Sequence, residues 1–78
     1  MDEIKLLDVV ALLEDLPGEG LQRGQVGTVV EIFAARPDVA GAFLVEFSDR
    51  SGRSFAFAEL HPSQIVKLRY TAAEREAA

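Results

Sequence analysis

Cysteine and tryptophan are absent from these 78 residues, and histidine, tyrosine and methionine occur once each. Without cysteine there are no disulfide staples, no thiolate zinc site and no thiol nucleophile, and the composition fits a reducing compartment. The lone histidine, His61, precedes Pro62, and the serines Ser48, Ser51, Ser54 and Ser63 are scattered over turns and strand edges. A nucleophile needs a neighbouring base and a third orienting group, so no catalytic site and no enzyme activity are expected. A zinc site takes about three or four protein ligands, and His61 has no partners for one; neither a metal nor a cofactor is expected. No apolar run approaches the roughly 20 residues that cross a membrane as a helix. The start, Met1-Asp2-Glu3-Ile4-Lys5, lacks the basic residues and long apolar stretch of a signal peptide, so a cytoplasmic protein without membrane contact is the expectation. Basic residues are in the minority: eight Lys and Arg against thirteen Asp and Glu give a net charge of −5. That field repels phosphate backbones and favours protein over nucleic-acid partners.

What the chain does have is apolar content, 49% hydrophobic against 27% charged, too much for a disordered segment. Its length suits one domain with a thin core, expected over residues 1–70, followed by a tail over 71–78. Short apolar runs separated by glycine or proline predict an all-β fold. The Val- and Leu-rich run Leu6 to Leu13 is a first strand, stopped by the loop Glu14-Asp15-Leu16-Pro17-Gly18-Glu19-Gly20. Gly27 to Phe33, with β-branched Thr28, Val29, Val30 and Ile32, is a second. In the third, Phe43, Val45 and Phe47 alternate with Leu44, Glu46 and Ser48 and form a core face. Asp49-Arg50-Ser51-Gly52 turns the chain into a fourth, Ser54 to Ala58. His61-Pro62-Ser63-Gln64 suits one 3-10 turn before a short fifth strand holding Ile65, Val66 and Leu68. The tail, with Thr71 as cap and Glu74 three residues on, is expected as a fraying turn or two of helix.

A long first loop, two hairpins, a 3-10 step and a closing strand is the order of a five-stranded SH3-like barrel. Within it, Arg23-Gly24-Gln25-Val26-Gly27-Thr28-Val29-Val30-Glu31-Ile32 resembles the glycine-centred motif of KOW-type barrels, where glycine permits positive φ or close backbone approach at Gly24 and Gly27. A wider resemblance covers residues 6 to 69 through Leu7-Asp8-Val9-Val10-Ala11-Leu12, Asp15-Leu16-Pro17, Gly20-Leu21, Arg23-Gly24, Gly27-Thr28-Val29-Val30-Glu31, Val45-Glu46-Phe47, Asp49, Gly52-Arg53 and Leu60. These residues resemble family 4926 of the domains of unknown function, small bacterial proteins. The resemblance implies a fold and little chemistry, with departure from the family expected between Ala34 and Gly41; an antitoxin-like or accessory-subunit role, with a toxin or an enzyme subunit as partner, is an analogy it suggests.

Two contact surfaces follow from the residues themselves. Phe55-Ala56-Phe57-Ala58 is apolar on both faces of its strand, where one wet face should be polar. Either the alanines point inward and Phe55 and Phe57, with Leu44 beside them, form an exposed patch for a protein partner or homodimer, or the phenylalanines fill the core. The acidic residues Glu14, Asp15 and Glu19 gather in the first loop and suit a docking surface better than a cation site, because they lack the alternating ligand spacing of a calcium loop. A basic strip of Arg23, Arg50, Arg53, Lys67 and Arg69 keeps a KOW-like RNA-binding module as an alternative. Against it stands the shortage of aromatics on which bases stack, and Tyr70 alone does not line a proline-peptide groove. The expected function is a non-enzymatic protein-interaction module.

Overall fold

Alternating and β-branched runs become five strands in a computed structural model, which describes residues 3–49 and 51–69. They are β1 (Val9–Leu12), β2 (Val26–Phe33), β3 (Ala42–Ser48), β4 (Ser54–Leu60) and β5 (Ile65–Lys67). Single 3-10 turns sit at Pro17–Glu19 and Pro62–Gln64, and no α-helix occurs among the described residues. All pairings are antiparallel, and one sheet runs in the order β4-β3-β2-β1-β5. The fold is therefore all-β with the expected five strands and 3-10 step. Arg50, Tyr70 and the tail 71–78 lie outside the described residues.

The first strand is shorter than its apolar run because a turn occupies the start of that run. Asp8 N donates to Lys5 O at 3.0 Å, Asp8 Oδ2 accepts from Lys5 N at 2.7 Å, and Leu7 has φ +71. The fourth strand is longer than expected, because Glu59 and Leu60 continue the ladder opposite Leu44 and Phe43.

Chain connectivity forces the sheet to roll. β4 and β5 are four strand spacings apart, about 19 Å if flat, and Leu60 and Ile65 are offset along the strands by roughly 20 Å, so a flat sheet would separate them by about 28 Å. The connection His61–Gln64 reaches about 18 Å at most. The sheet consequently curls until one face covers itself, which explains why Val10, Val29 and Val45 are 0% exposed. The core joins residues of all five strands: Val10 and Leu12, Val29, Val45 and Phe47, Ala58 and Leu60, and Ile65, with Leu21 from the first loop. No ladder joins β4 to β5 among the described residues, so the roll is not closed by hydrogen bonds.

Two register shifts shape the roll. Val29 pairs with Val45 and Glu31 with Leu44, leaving Val30 extra in β2; Phe47 pairs with Ala56 and Ser48 with Ser54, leaving Phe55 extra in β4. Such bulges bend a strand and raise its twist, as a tightly curled sheet requires.

The two motif glycines serve different needs. Gly24 has φ +92, a region in which an L side chain is strained, and its N–H donates to Leu12 O at 2.8 Å. Gly27 is instead a close approach: a Cβ there would lie 2.6 Å from Val45 Cγ1, 2.8 Å from Glu46 O and 3.0 Å from Phe47 Cδ1.

Candidate functional site

The choice left open in Phe55-Ala56-Phe57-Ala58 is decided by β3. Val45 and Phe47 face the core, and their cross-strand partners are Ala58 and Ala56. Directly opposed residues share a face, so the alanines point inward, where Ala58 is 5% exposed, and the phenylalanines do not: Phe55 is 50% exposed and Phe57 54%. Large inner groups on β3 meet small ones on β4, which is how a tightly curled pair fits. Phe43, the third expected core residue of β3, is half-buried and packs against the core.

Outside, Leu44 lies opposite Glu59 on β4 and Glu31 on β2, while Glu46 lies opposite Phe57 on β4 and Thr28 on β2. Leu44 and Phe57 are thus diagonal neighbours, about 7–8 Å apart and within reach of an aromatic ring. Leu44 itself is half-buried. Phe55, at the bulge, extends the apolar surface along β4, which is also an edge strand.

The acidic first loop is organised differently. Asp15 Oδ1 accepts from Arg23 N at 2.8 Å, and Glu14 Oε2 accepts from Gln64 Nε2 at 3.1 Å. Both carboxylates hold the chain together: Asp15 closes the loop across Leu16 to Gln22, and Glu14 ties it to the second 3-10 turn. Glu19 is exposed in the first 3-10 turn. The loop is pinned by a Leu16–Leu21 bridge that buries Leu21. Beside it lies an open depression of about 480 Å³ lined by Asp15, Pro17, Gly20, Leu21, Gln22 and Arg23. No hydrogen bond or strand pairing links this loop to β3 or β4 among the described residues.

The His61 and Lys67 side chains have structural contacts, and Arg23 and Arg53 take part through their backbone amides. A carbonyl can only accept, so the His61 Nδ1 donates to Gly41 O at 3.2 Å and anchors the β2–β3 connection. Gln64 Oε1 accepts from His61 N at 2.8 Å across the 3-10 turn. Lys67 Nζ lies 3.2 Å from Asp8 Oδ2. The Lys5 amide, and then the Lys67 ammonium, hold the Asp8 carboxyl below the ordinary carboxylate range against an opposing push from desolvation. In the β3–β4 turn, the Ser51 hydroxyl donates to Asp49 Oδ1 at 2.8 Å, as do the Ser51 and Arg53 amides at 2.9 and 3.0 Å. The hydroxyl is the main reason that the Asp49 carboxyl is also lowered. Among the described residues no group of three His, Asp or Glu is placed to hold a metal ion, and no helix is long and apolar enough to cross a membrane.

One apolar surface was missed by sequence reasoning. Ala11 lies opposite Val66 on β5 and Val26 on β2, and Leu13 continues β1 beyond it, so the outer side of β5-β1-β2 carries an aliphatic strip in which Val66, Val26 and Leu13 are exposed. The unalternating run Val9-Val10-Ala11-Leu12-Leu13 held the signal, for it is apolar on both faces in the way that β4 is.

An antiparallel five-stranded sheet, rolled around one core and carrying two structural glycines after a long loop, defines a class of small all-β domains. The profile of the family described as Domain of unknown function (DUF4926) matches residues 6–67, most of the chain, and the chain belongs to that family. No curated protein and no solved structure matches it.

Proposed function

We propose that this protein is a non-enzymatic protein-interaction module, an SH3-like roll with a KOW-like glycine motif, that holds a protein partner on the outer face of β3 and β4. The observation that carries this reading is the outward placement of Phe55 and Phe57 while alanines fill the space beneath them. Two half-exposed phenylalanines on a chain with six aromatics are a costly use of apolar surface unless something covers them. β4 adds an unpaired backbone edge beside the rings, a feature that partner strands recognise. Phe, Leu and charged neighbours give the apolar centre and polar rim of an interface. The cytoplasm is the compartment that suits a chain without cysteine.

Affinity capture from the source cells with the wild-type chain and with Phe57→Ser, both shown to be folded, tests the reading. A protein retained in stoichiometric amount by the wild type and lost by the variant is expected, unchanged by ribonuclease. Retention that ribonuclease abolishes would replace this reading with RNA binding, and a protein held equally by both chains would move the interface elsewhere.

A further inference from the structure

The proposed face on β3 and β4 carries carboxylates beside Leu44 and Phe57 that no basic residue within β2, β3 or β4 neutralises. Glu31, Leu44 and Glu59 form one row across β2, β3 and β4, and Thr28, Glu46 and Phe57 form the next. Leu44 therefore has glutamates on both neighbouring strands, and Phe57 has Glu46 across from it and Glu59 two residues along its own strand. Cross-strand neighbours of this kind stand about 4.5–5.5 Å apart at Cβ. β2, β3 and β4 contain no lysine or arginine. Among the described residues no ion pair or side-chain hydrogen bond engages Glu31, Glu46 or Glu59. Glu46 is half-buried as well, between Thr28 and Phe57.

Resting on the interaction reading above, we infer that the occupant of this face is an amphipathic segment of another protein, with Lys or Arg side chains interleaved among aliphatic or aromatic ones. The apolar groups of such a segment cover Leu44, Phe55 and Phe57 while its cations meet Glu31, Glu46 and Glu59. A second copy of this chain is a poor occupant, since apposing two such faces brings six carboxylates together and like charges across an interface are strongly unfavourable. Nucleic acid and anionic lipid are repelled for the same reason. Charge pairing also predicts fast, salt-sensitive association on an apolar anchor that salt affects little.

A random-peptide display library, selected on the immobilised full chain and counter-selected on Phe57→Ser, provides the test. The Phe57-dependent binders are expected to be enriched in Lys and Arg interleaved with Leu, Ile or Phe. Their affinity is expected to fall about tenfold or more in the triple variant Glu31→Gln/Glu46→Gln/Glu59→Gln, which keeps the side-chain shapes, and to fall likewise at high salt. Phe57-dependent binders that are uncharged or acidic, or that bind the triple variant equally, would overturn the inference and leave the interaction face in place. No Phe57-dependent binder at all would overturn both. A wild-type dimer in sedimentation that Phe57→Ser abolishes would replace the basic partner with a second copy.

Discussion

Adding one methyl group at Gly27 is expected to unsettle the whole sheet. Gly27 is paired with Val10 on β1 and Phe47 on β3, so it sits where the two halves of the roll share a strand. A Cβ built on its backbone lies 2.6 Å from Val45 Cγ1 and 2.8 Å from Glu46 O, well inside ordinary van der Waals contact at about 3.5–4.0 Å. The Val45 side chain is fully buried in the core, and the second obstacle is backbone, so β2 must part from β3 by several tenths of an ångström. Overpacking of this kind costs about 1–3 kcal/mol, and the strained ladder adds to it. The smaller unfolded-state entropy of alanine returns roughly 0.4–1 kcal/mol, leaving a net loss of about 2 kcal/mol for Gly27→Ala and more for Gly27→Val. In a domain of this size that lowers Tm by roughly 8–16 °C. Gly18→Ala is the matched control, because a Cβ there meets nothing within 4 Å; its midpoint is expected to stay level or rise slightly. Thermal melts by circular dichroism read both. Gly27→Ala melting within about 2 °C of the wild type would refute the close approach.

Phe47→Ala should cost about 3–5 kcal/mol, whereas Phe57→Ala, half-exposed, should cost about 1 kcal/mol; equal denaturation midpoints would contradict the assignment of inner and outer faces. Leu7→Gly relieves a φ of +71 at an exposed site, a conformation worth about 1–2 kcal/mol against leucine and partly offset by glycine entropy, so stability should hold or rise; a Tm loss above about 4 °C would count against strain there. Asp8 and Asp49 have lowered carboxyl pKa values in the fold, so their contribution to stability is complete above the ordinary value of 3.8 and is lost as pH falls below it. Urea midpoints between about pH 5 and pH 2 should therefore fall less steeply for Asp8→Asn/Asp49→Asn than for the wild type, and identical slopes would remove these two groups from the acid response.

Much of the fold was legible because local chemistry and tertiary need coincide. Phe43, Val45 and Phe47 alternate with polar or smaller residues, and that strand needed nothing beyond its period. Gly27 could be read through its resemblance to the glycine of KOW-type motifs, and the close approach of Val45 and Glu46 is the physical reason that a side chain is excluded there. The bulges at Val30 and Phe55 left no trace, since an unpaired residue is defined by its partner strand and not by its own type. The early end of the first strand was hidden for a related reason: Leu7 in a left-handed conformation contradicts its own preference, and the Lys5–Asp8 hydrogen bonds, with the Leu7 amide donating to Val29 O, hold it there. Phe-Ala-Phe-Ala reads equally well in either orientation, and the bulk of Val45 and Phe47 across the ladder settles it. Glu14 and Asp15 looked like free acids in a loop, yet Glu14 is held by a glutamine fifty residues away and Asp15 by a backbone amide eight residues away, distances over which sequence spacing carries no information.

Whether a protein partner covers the outer face of β3 and β4 is read residue by residue in an amide and methyl chemical-shift map of the labelled full chain, recorded on addition of the partner that it captures. The largest changes are expected at Leu44, Glu46, Phe55, Phe57 and Glu59, with little change along Asp15 to Arg23. Changes centred on the first-loop depression, or on Val66, Ala11 and Val26, with Phe55 and Phe57 unmoved, would contradict a partner seated on that face.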